Sequence, residues 1–200
     1  MLLFSALSKR LGTARGLVVQ TSAKVNLTLE VLRKREDGYH ELATILQSVD
    51  LWDRLAVEPA DSLSLVTSDP ALPTDEGNLV IRAAGLLRDA AGVESGARLR
   101  LDKRIPVAAG LGGGSSDAAA ALWALNRMWG IRWPVKRLQE LAERLGMDVP
   151  FFLGPSPALA SGRGEVLHPL AMRQTIPLVV ANPGVPLATR EVYGALGPAD

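Results

Sequence analysis

The stretch best equipped for chemistry is Pro106-Val107-Ala108-Ala109-Gly110-Leu111-Gly112-Gly113-Gly114-Ser115-Ser116-Asp117. Four glycines in the five positions 110–114 open backbone conformations closed to other residues and let a ligand approach the main chain closely. An alanine-rich helix, expected from about Ser115 to Met128, starts directly after them. The first amides of such a helix lack partners, and its dipole is positive at that end. A glycine loop running into a helix start is an anion site, with phosphate the usual occupant. Ser115 and Ser116 add hydroxyls for a phosphate or a magnesium ion, and Asp117 suits the first turn as a cap residue. No Gly-Lys-Ser/Thr follows, so this is not a Walker loop. The spaced dinucleotide fingerprint is also absent, because no acid on a second parallel strand accompanies the loop. The plain structural alternative is a flexible turn that happens to be rich in glycine.

Phosphoryl transfer needs more than a cradle. A cation must stand near the transferring group, and a carboxylate usually serves the acceptor hydroxyl. Lys24, in Ser22-Ala23-Lys24-Val25-Asn26-Leu27, is the candidate cation. Asp148, between Gly146 and the apolar run Val149-Pro150-Phe151-Phe152, is the candidate base. Those apolar neighbours are expected to desolvate its charged form unless a lysine balances it. Each residue also has a plain reading, Lys24 as a surface charge at a strand end and Asp148 as a turn residue.

These side chains need a scaffold, and the composition supplies one. The chain has 200 residues, 48% hydrophobic and 22% charged, with a net charge of +1. That balance excludes a disordered chain and gives no basic surface for wrapping nucleic acid. There is no cysteine and only two histidines, His40 and His168, which excludes disulfides, thiolate metal sites and a histidine-rich metal centre. No apolar run reaches the ~18 residues of a membrane span.

Strands are expected at 17–22 and 24–32, the second from the alternation of Val25, Leu27, Leu29 and Val31. A charged turn at 33–40 follows, then an ambiguous segment at 43–52 that favours strand. Residues 54–60 and 62–68 read as a strand pair. Asn78 caps a helix that Gly92 stops, and 97–105 alternates as a strand. Pro134 opens a further helix ending at Gly146, residues 176–181 read as a buried strand, and Thr189 opens a short last helix. Strands and helices mix without a regular βαβ beat, so the class is α+β.

Several segments together resemble one family, the GHMP kinases. They are Ala23-Lys24-Val25-Asn26-Leu27, Asp37-Gly38-Tyr39-His40, Asn78-Leu79, residues 106–117, Asp148-Val149-Pro150-Phe151-Phe152 and Gly162-Arg163-Gly164-Glu165. The resemblance covers roughly residues 20–200. It implies a ribosomal-protein-type N-terminal domain with a left-handed βαβ crossover, an exception to the usual hand.

The resemblance also implies an activity. ATP, with Mg2+, would donate its γ-phosphoryl group to the 2-hydroxyl of the methylerythritol unit of a cytidine diphosphate derivative, a step of non-mevalonate isoprenoid synthesis. Lys24 and Asp148 match the family's catalytic pair. Pro106, Val107, Ala108, Ala109, Gly110, Leu111, Gly112, Gly113, Gly114, Ser115 and Ser116 match its ATP loop, and Asn78 and Leu79 a segment near the adenine pocket. Asn26, Tyr39, His40, Thr189 and Tyr193 match the substrate side, where stacking rings and directed hydrogen bonds would read a cytosine. No residue is assigned as a metal ligand. A cytoplasmic monomer or homodimer, without nucleic-acid or membrane partners, completes the expectation.

Two departures stand out. Met147 replaces the small residue that usually precedes the aspartate, which would crowd the phosphate region. A third glycine-rich motif of the family, Gly-Ser-Gly, has no counterpart after Tyr193. The expected organisation is therefore an N-terminal extension at 1–20, an ATP-binding domain at 21–160, and the incomplete start of a C-terminal domain at 161–200. Exposed apolar surface around 176–181 and little or no kinase activity from the 200 residues alone are expected with it. The competing readings are a homoserine- or mevalonate-type kinase of the same superfamily, and a non-catalytic nucleotide- or RNA-binding module. Asp-Gly-Tyr-His and the Thr189/Tyr193 pair argue against the first. Near-zero charge and the retention of Lys24, Asp148 and the whole loop argue against the second.

Overall fold

The computed structural model describes residues 5–7, 16–172, 174–184 and 192. In chain order the elements are β1 (Ser5–Leu7), β2 (Leu17–Lys34), β3 (His40–Ala60), β4 (Leu63–Thr67), α1 (Leu79–Ala91), β5 (Gly96–Asp102), α2 (Gly113–Met128), α3 (Val135–Ala142), α4 (Val149–Phe152), β6 (Ala158–Ser161) and β7 (Val166–Pro169). Among the described residues they make one mixed sheet in the order β1-β2-β3-β5-β4, with β6 added to β3 and β7 to β6. The mixture of antiparallel strands, one parallel pair and covering helices is the expected α+β class.

β2 and β3 form a long antiparallel hairpin whose register is irregular between Ser22 and Ala23 and between Asn26 and Thr28. The break read at residue 23 is therefore a bulge within one strand, and Lys24 and Asn26 lie between the two irregularities. Bulges re-aim side chains and concentrate beside active sites. Residues 17–20, expected to lie outside the domain, belong to β2, and Val18 and Val19 are buried.

The expected pairing of 54–60 with 62–68 does not occur. β5 runs between them, antiparallel to β3 and parallel to β4. Ala97, Leu99 and Leu101 of β5 are all buried, which favours the central place, and a Cβ at Gly96 would overlap the Ser62 backbone. β4, α1 and β5 thus form a parallel crossover.

α1 starts and stops as its sequence dictates. Asn78 Oδ1 accepts from the Val80 amide at 3.0 Å, and Gly92 closes the helix with φ +63°. α2 begins at Gly113, two residues before the expected start, because left-handed Gly112 serves as its N-cap and Gly113 and Gly114 join the first turn. Its run Ala118–Ala121 is wholly buried, and these small side chains let the helix lie close to the sheet and to α1. α3 ends at Ala142, earlier than expected, and residues 143–145 continue as turn. Residues 176–181, expected as a buried strand, are exposed and form no strand; Val179 is 98% exposed. They pair with none of the described strands. The strands at 158–161 and 166–169 were not foreseen, being four residues each.

Candidate active site

Lys24 projects from the middle of β2 and is 8% exposed. Its Nζ lies 3.6 Å from Asp148 Oδ2 and donates to Asn26 Oδ1 at 2.8 Å. The pairing with Asn26 follows from strand periodicity, since residues two apart share a face. Asn26 in turn donates to Thr44 Oγ1 at 2.8 Å, and Thr44 donates to the Thr28 carbonyl at 2.5 Å. This chain across β2 and β3 fixes which end of the Asn26 amide faces the lysine.

Asp148 caps the short helix α4. Val149, Pro150, Phe151 and Phe152 are buried in the core while the Asp148 side chain stays 41% exposed, open to the cleft. Met147 lines the same wall.

The glycine loop is fastened to the lysine's own main chain, because the Lys24 amide donates to the Leu111 carbonyl at 2.9 Å. Ala108, Gly110 and Gly112 all adopt positive φ, at 54°, 72° and 70°. A Cβ at Gly112 would sit 2.9 Å from Lys24 Cγ and 3.0 Å from Phe152 Cζ, so glycine is required there for space as well as conformation. Gly112 offers no side-chain cap to α2, which leaves the first amides of that helix facing the cleft without intrahelical partners. The cradle fits the phosphates of a nucleotide.

Pro106, Val107, Ala108, Ala109, Gly110, Gly114 and Ser115 line the cleft. Leu111 does so through its main chain, its side chain being buried against Ala23 and Ile105. Ser116 departs from expectation. It is fully buried, and its hydroxyl donates to the Ser22 carbonyl at 2.6 Å while Thr21 donates to the Ser116 carbonyl at 2.9 Å. It fastens α2 to β2 and offers no hydroxyl to a phosphate. Asp117 is no cap either. It is buried one turn into the helix and paired with Lys103 at 2.8 Å. Asn78 commits both ends of its amide locally, to Val80 and to the Pro73 carbonyl at 2.8 Å. Leu79 reaches towards the loop, its Cδ1 3.7 Å from where a Gly114 Cβ would stand.

The opposite wall carries the turn between β2 and β3. Asp37 accepts from Arg35 Nε at 3.0 Å and from the Tyr39 amide at 3.1 Å. These bonds, Arg35 first, hold the Asp37 carboxyl below its ordinary value. Tyr39 is about half exposed, with the Arg163 guanidinium 5.1 Å from its ring centre. Arg163 is oriented by Glu165, which accepts its backbone amide at 2.6 Å and its Nε at 3.3 Å. Burial pushes the Glu165 carboxyl up, but the backbone amides and Arg163 outweigh it and leave it below the ordinary value. His40 begins β3 on the same wall. Thr189 and Tyr193 lie outside the described residues. Together the walls enclose an open cleft of about 1830 Å3. Lys103, Asp53 and Thr44 were not singled out from the sequence, where isolated charges and a lone threonine carry no pattern; Arg163 stood there only within the Gly162-Arg163-Gly164-Glu165 match.

Residues 78–154 match the family model for the GHMP kinases N terminal domain. The chain is 54% identical over 178 residues to the 4-diphosphocytidyl-2-C-methyl-D-erythritol kinase of Pelotomaculum thermopropionicum, covering 88% of this chain and 62% of that protein. Residues 78–154 thus carry the GHMP kinases N terminal domain. The same-named kinase of Symbiobacterium thermophilum is 50% identical over 176 residues, again 88% of this chain and 62% of the relative. A crystal structure of 4-(cytidine 5'-diphospho)-2C-methyl-D-erythritol kinase superimposes with a TM-score of 0.67 at 49% identity, over 78% of this chain and 56% of that one. The Methanococcus jannaschii mevalonate kinase, at 13% identity and TM-score 0.60, shares the GHMP fold. The chain thus spans about 62% of the length of these two curated relatives.

Proposed function

We propose that this chain carries the nucleotide loop and catalytic pair of an ATP-dependent kinase acting on 4-diphosphocytidyl-2-C-methyl-D-erythritol, in the cytoplasm, as a monomer or homodimer. The observation that carries the reading is the Lys24–Asp148 pair, 3.6 Å apart beside the glycine loop. A relative 54% identical bears that kinase's name. Residues 21–160 form the ATP-binding unit and 161–200 the start of a second unit.

ATP supplies the phosphoryl group, and the loop amides at the start of α2 hold its phosphates. Mg2+ would come with the nucleotide, bound chiefly through its phosphates. Asp148 takes the proton of the 2-hydroxyl as that oxygen bonds to the γ-phosphorus and the bond to the β-phosphate oxygen breaks, releasing ADP. Lys24 keeps the carboxylate oriented and offsets charge on the transferring group. Asn26, fixed by Thr44, presents its amide to the substrate. Tyr39 offers a face for the pyrimidine and His40 a directed bond.

The test is binding and transfer together. Calorimetry should show ADP and CDP binding without competing, and Asp148→Asn should remove the little phosphoryl transfer that the 200 residues support while leaving ADP binding intact. A wild-type chain that binds neither nucleotide defeats the proposal. Binding of ADP alone, with CDP excluded, favours a kinase for a different hydroxyl acceptor.

A further inference from the structure

The loop carries a second buried lysine. The Lys103 side chain is 7% exposed and stands between two carboxylates, Asp53 and Asp117, that are 0% and 2% exposed. Its Nζ donates to Asp53 Oδ2, and to Asp117 Oδ2 at 2.8 Å. The other oxygen of Asp53 accepts from the amides of Arg104 and Ile105 at 2.5 and 2.9 Å. Those are the last two residues before the loop begins at Pro106. Asp117 lies in α2, one turn beyond the loop's end. One ammonium therefore joins the central strand β3, the entry to the loop and the helix that leaves it. Gly113, the first residue of α2, lies directly against the junction. A Cβ there would come within 3.0 Å of Lys103 Nζ and 2.9 Å of Ile105 Cγ2.

We propose that Lys103 is a positioning residue for the nucleotide, bridging Asp53 and Asp117 so that the two ends of the glycine loop keep a fixed separation and the first amides of α2 stay aimed into the cleft. The inference rests on the nucleotide reading of that loop. An ammonium is a compact charge with three donors and can serve both carboxylates at once. Buried, the three groups depend on one another, because a charge left without its partner inside the protein is strongly unfavourable. Glycine conformations otherwise give the loop freedom to drift, and the bridge removes that freedom where the phosphates would lie.

Lys103→Gln alone leaves two buried carboxylates facing each other and is expected to destabilise the fold. The informative comparison is Asp117→Asn against the double variant Lys103→Gln/Asp117→Asn. The double variant keeps a single carboxylate, already served by two backbone amides, and amide side chains on either side of it. ADP and CDP affinities are measured by calorimetry and folding by thermal melting. The expected result is Asp117→Asn within about threefold of wild type for ADP. The folded double variant should lose at least tenfold in ADP affinity and less than twofold in CDP affinity. A folded double variant that binds ADP like wild type overturns the proposal. So does a loss of ADP and CDP affinity to the same degree, which is general loosening. A double variant that fails to fold where Asp117→Asn folds assigns Lys103 to the fold alone. Wild-type protein that binds no ADP overturns the nucleotide reading and this inference with it.

Discussion

Asp117 shows how one buried carboxylate ties the site to pH. Burial pushes its carboxyl up from 3.8 to about 7, against the pull of Lys103, while burial of Lys103 is outweighed by Asp117 and Asp53 and leaves the ammonium above 10.5. Asp117 Oδ1 is also buried without a hydrogen-bond partner. In the unfolded chain the same carboxyl ionises near its ordinary value. Between about pH 4 and 7 the folded protein therefore holds a proton that the unfolded chain has lost. Stability must fall as pH rises through that window. The lowered Glu165 and Asp37 carboxyls act below about pH 4.5 and oppose it only there. Asp117→Asn should flatten the slope and raise stability at pH 8, because it removes the charge that burial disfavours there. Urea midpoints at pH 5 and pH 8 decide it; a variant with the wild-type slope would show that Asp117 is not the group titrating.

At the scale of elements, the loop and strand β2 are fitted to each other at Gly112. Alanine there would need φ +70° and would push its Cβ against Lys24 Cγ and Phe152 Cζ. The left-handed backbone alone costs about 1–2 kcal/mol. The expected result for Gly112→Ala is that loss in a denaturation experiment, with at least a tenfold drop in whatever phosphoryl transfer the chain supports as Lys24 leaves Asp148. Transfer at the wild-type rate would mean that the pair tolerates displacement. The elements themselves were readable to different degrees. α1 announces itself through Asn78 and Gly92, and the glycine loop and the Lys24–Asp148 pair through residue type and motif. The order of the strands was not readable, because burial of Leu99 and Leu101 between two neighbours is a tertiary outcome that local alternation does not contain. The true role of Ser116 was hidden for the same reason. A hydroxyl beside a glycine loop looks the same in sequence whether it turns to the cleft or to the Ser22 carbonyl.

Across the whole molecule, the described segment at 174–184 contrasts with the rest. Ile176, Leu178 and Val180 are 44–49% exposed and Val179 is nearly fully so, a row of apolar side chains without cover among the described residues. Contiguous apolar surface of this kind promotes association. Sedimentation of the 200-residue chain should show concentration-dependent self-association that Val179→Glu reduces without lowering the melting temperature. Equal association in the variant would place the sticky surface elsewhere. A different economy governs the link between nucleotide wall and substrate wall. The bond that closes the loop onto β2 is made by the peptide N–H of Lys24, whereas the group that meets Asp148 is its ammonium. Nineteen of the twenty amino acids carry that N–H. Exchange at position 24 can therefore abolish the charge while the loop stays latched, so inheritance can erase the proposed chemistry and leave the glycine-loop architecture standing.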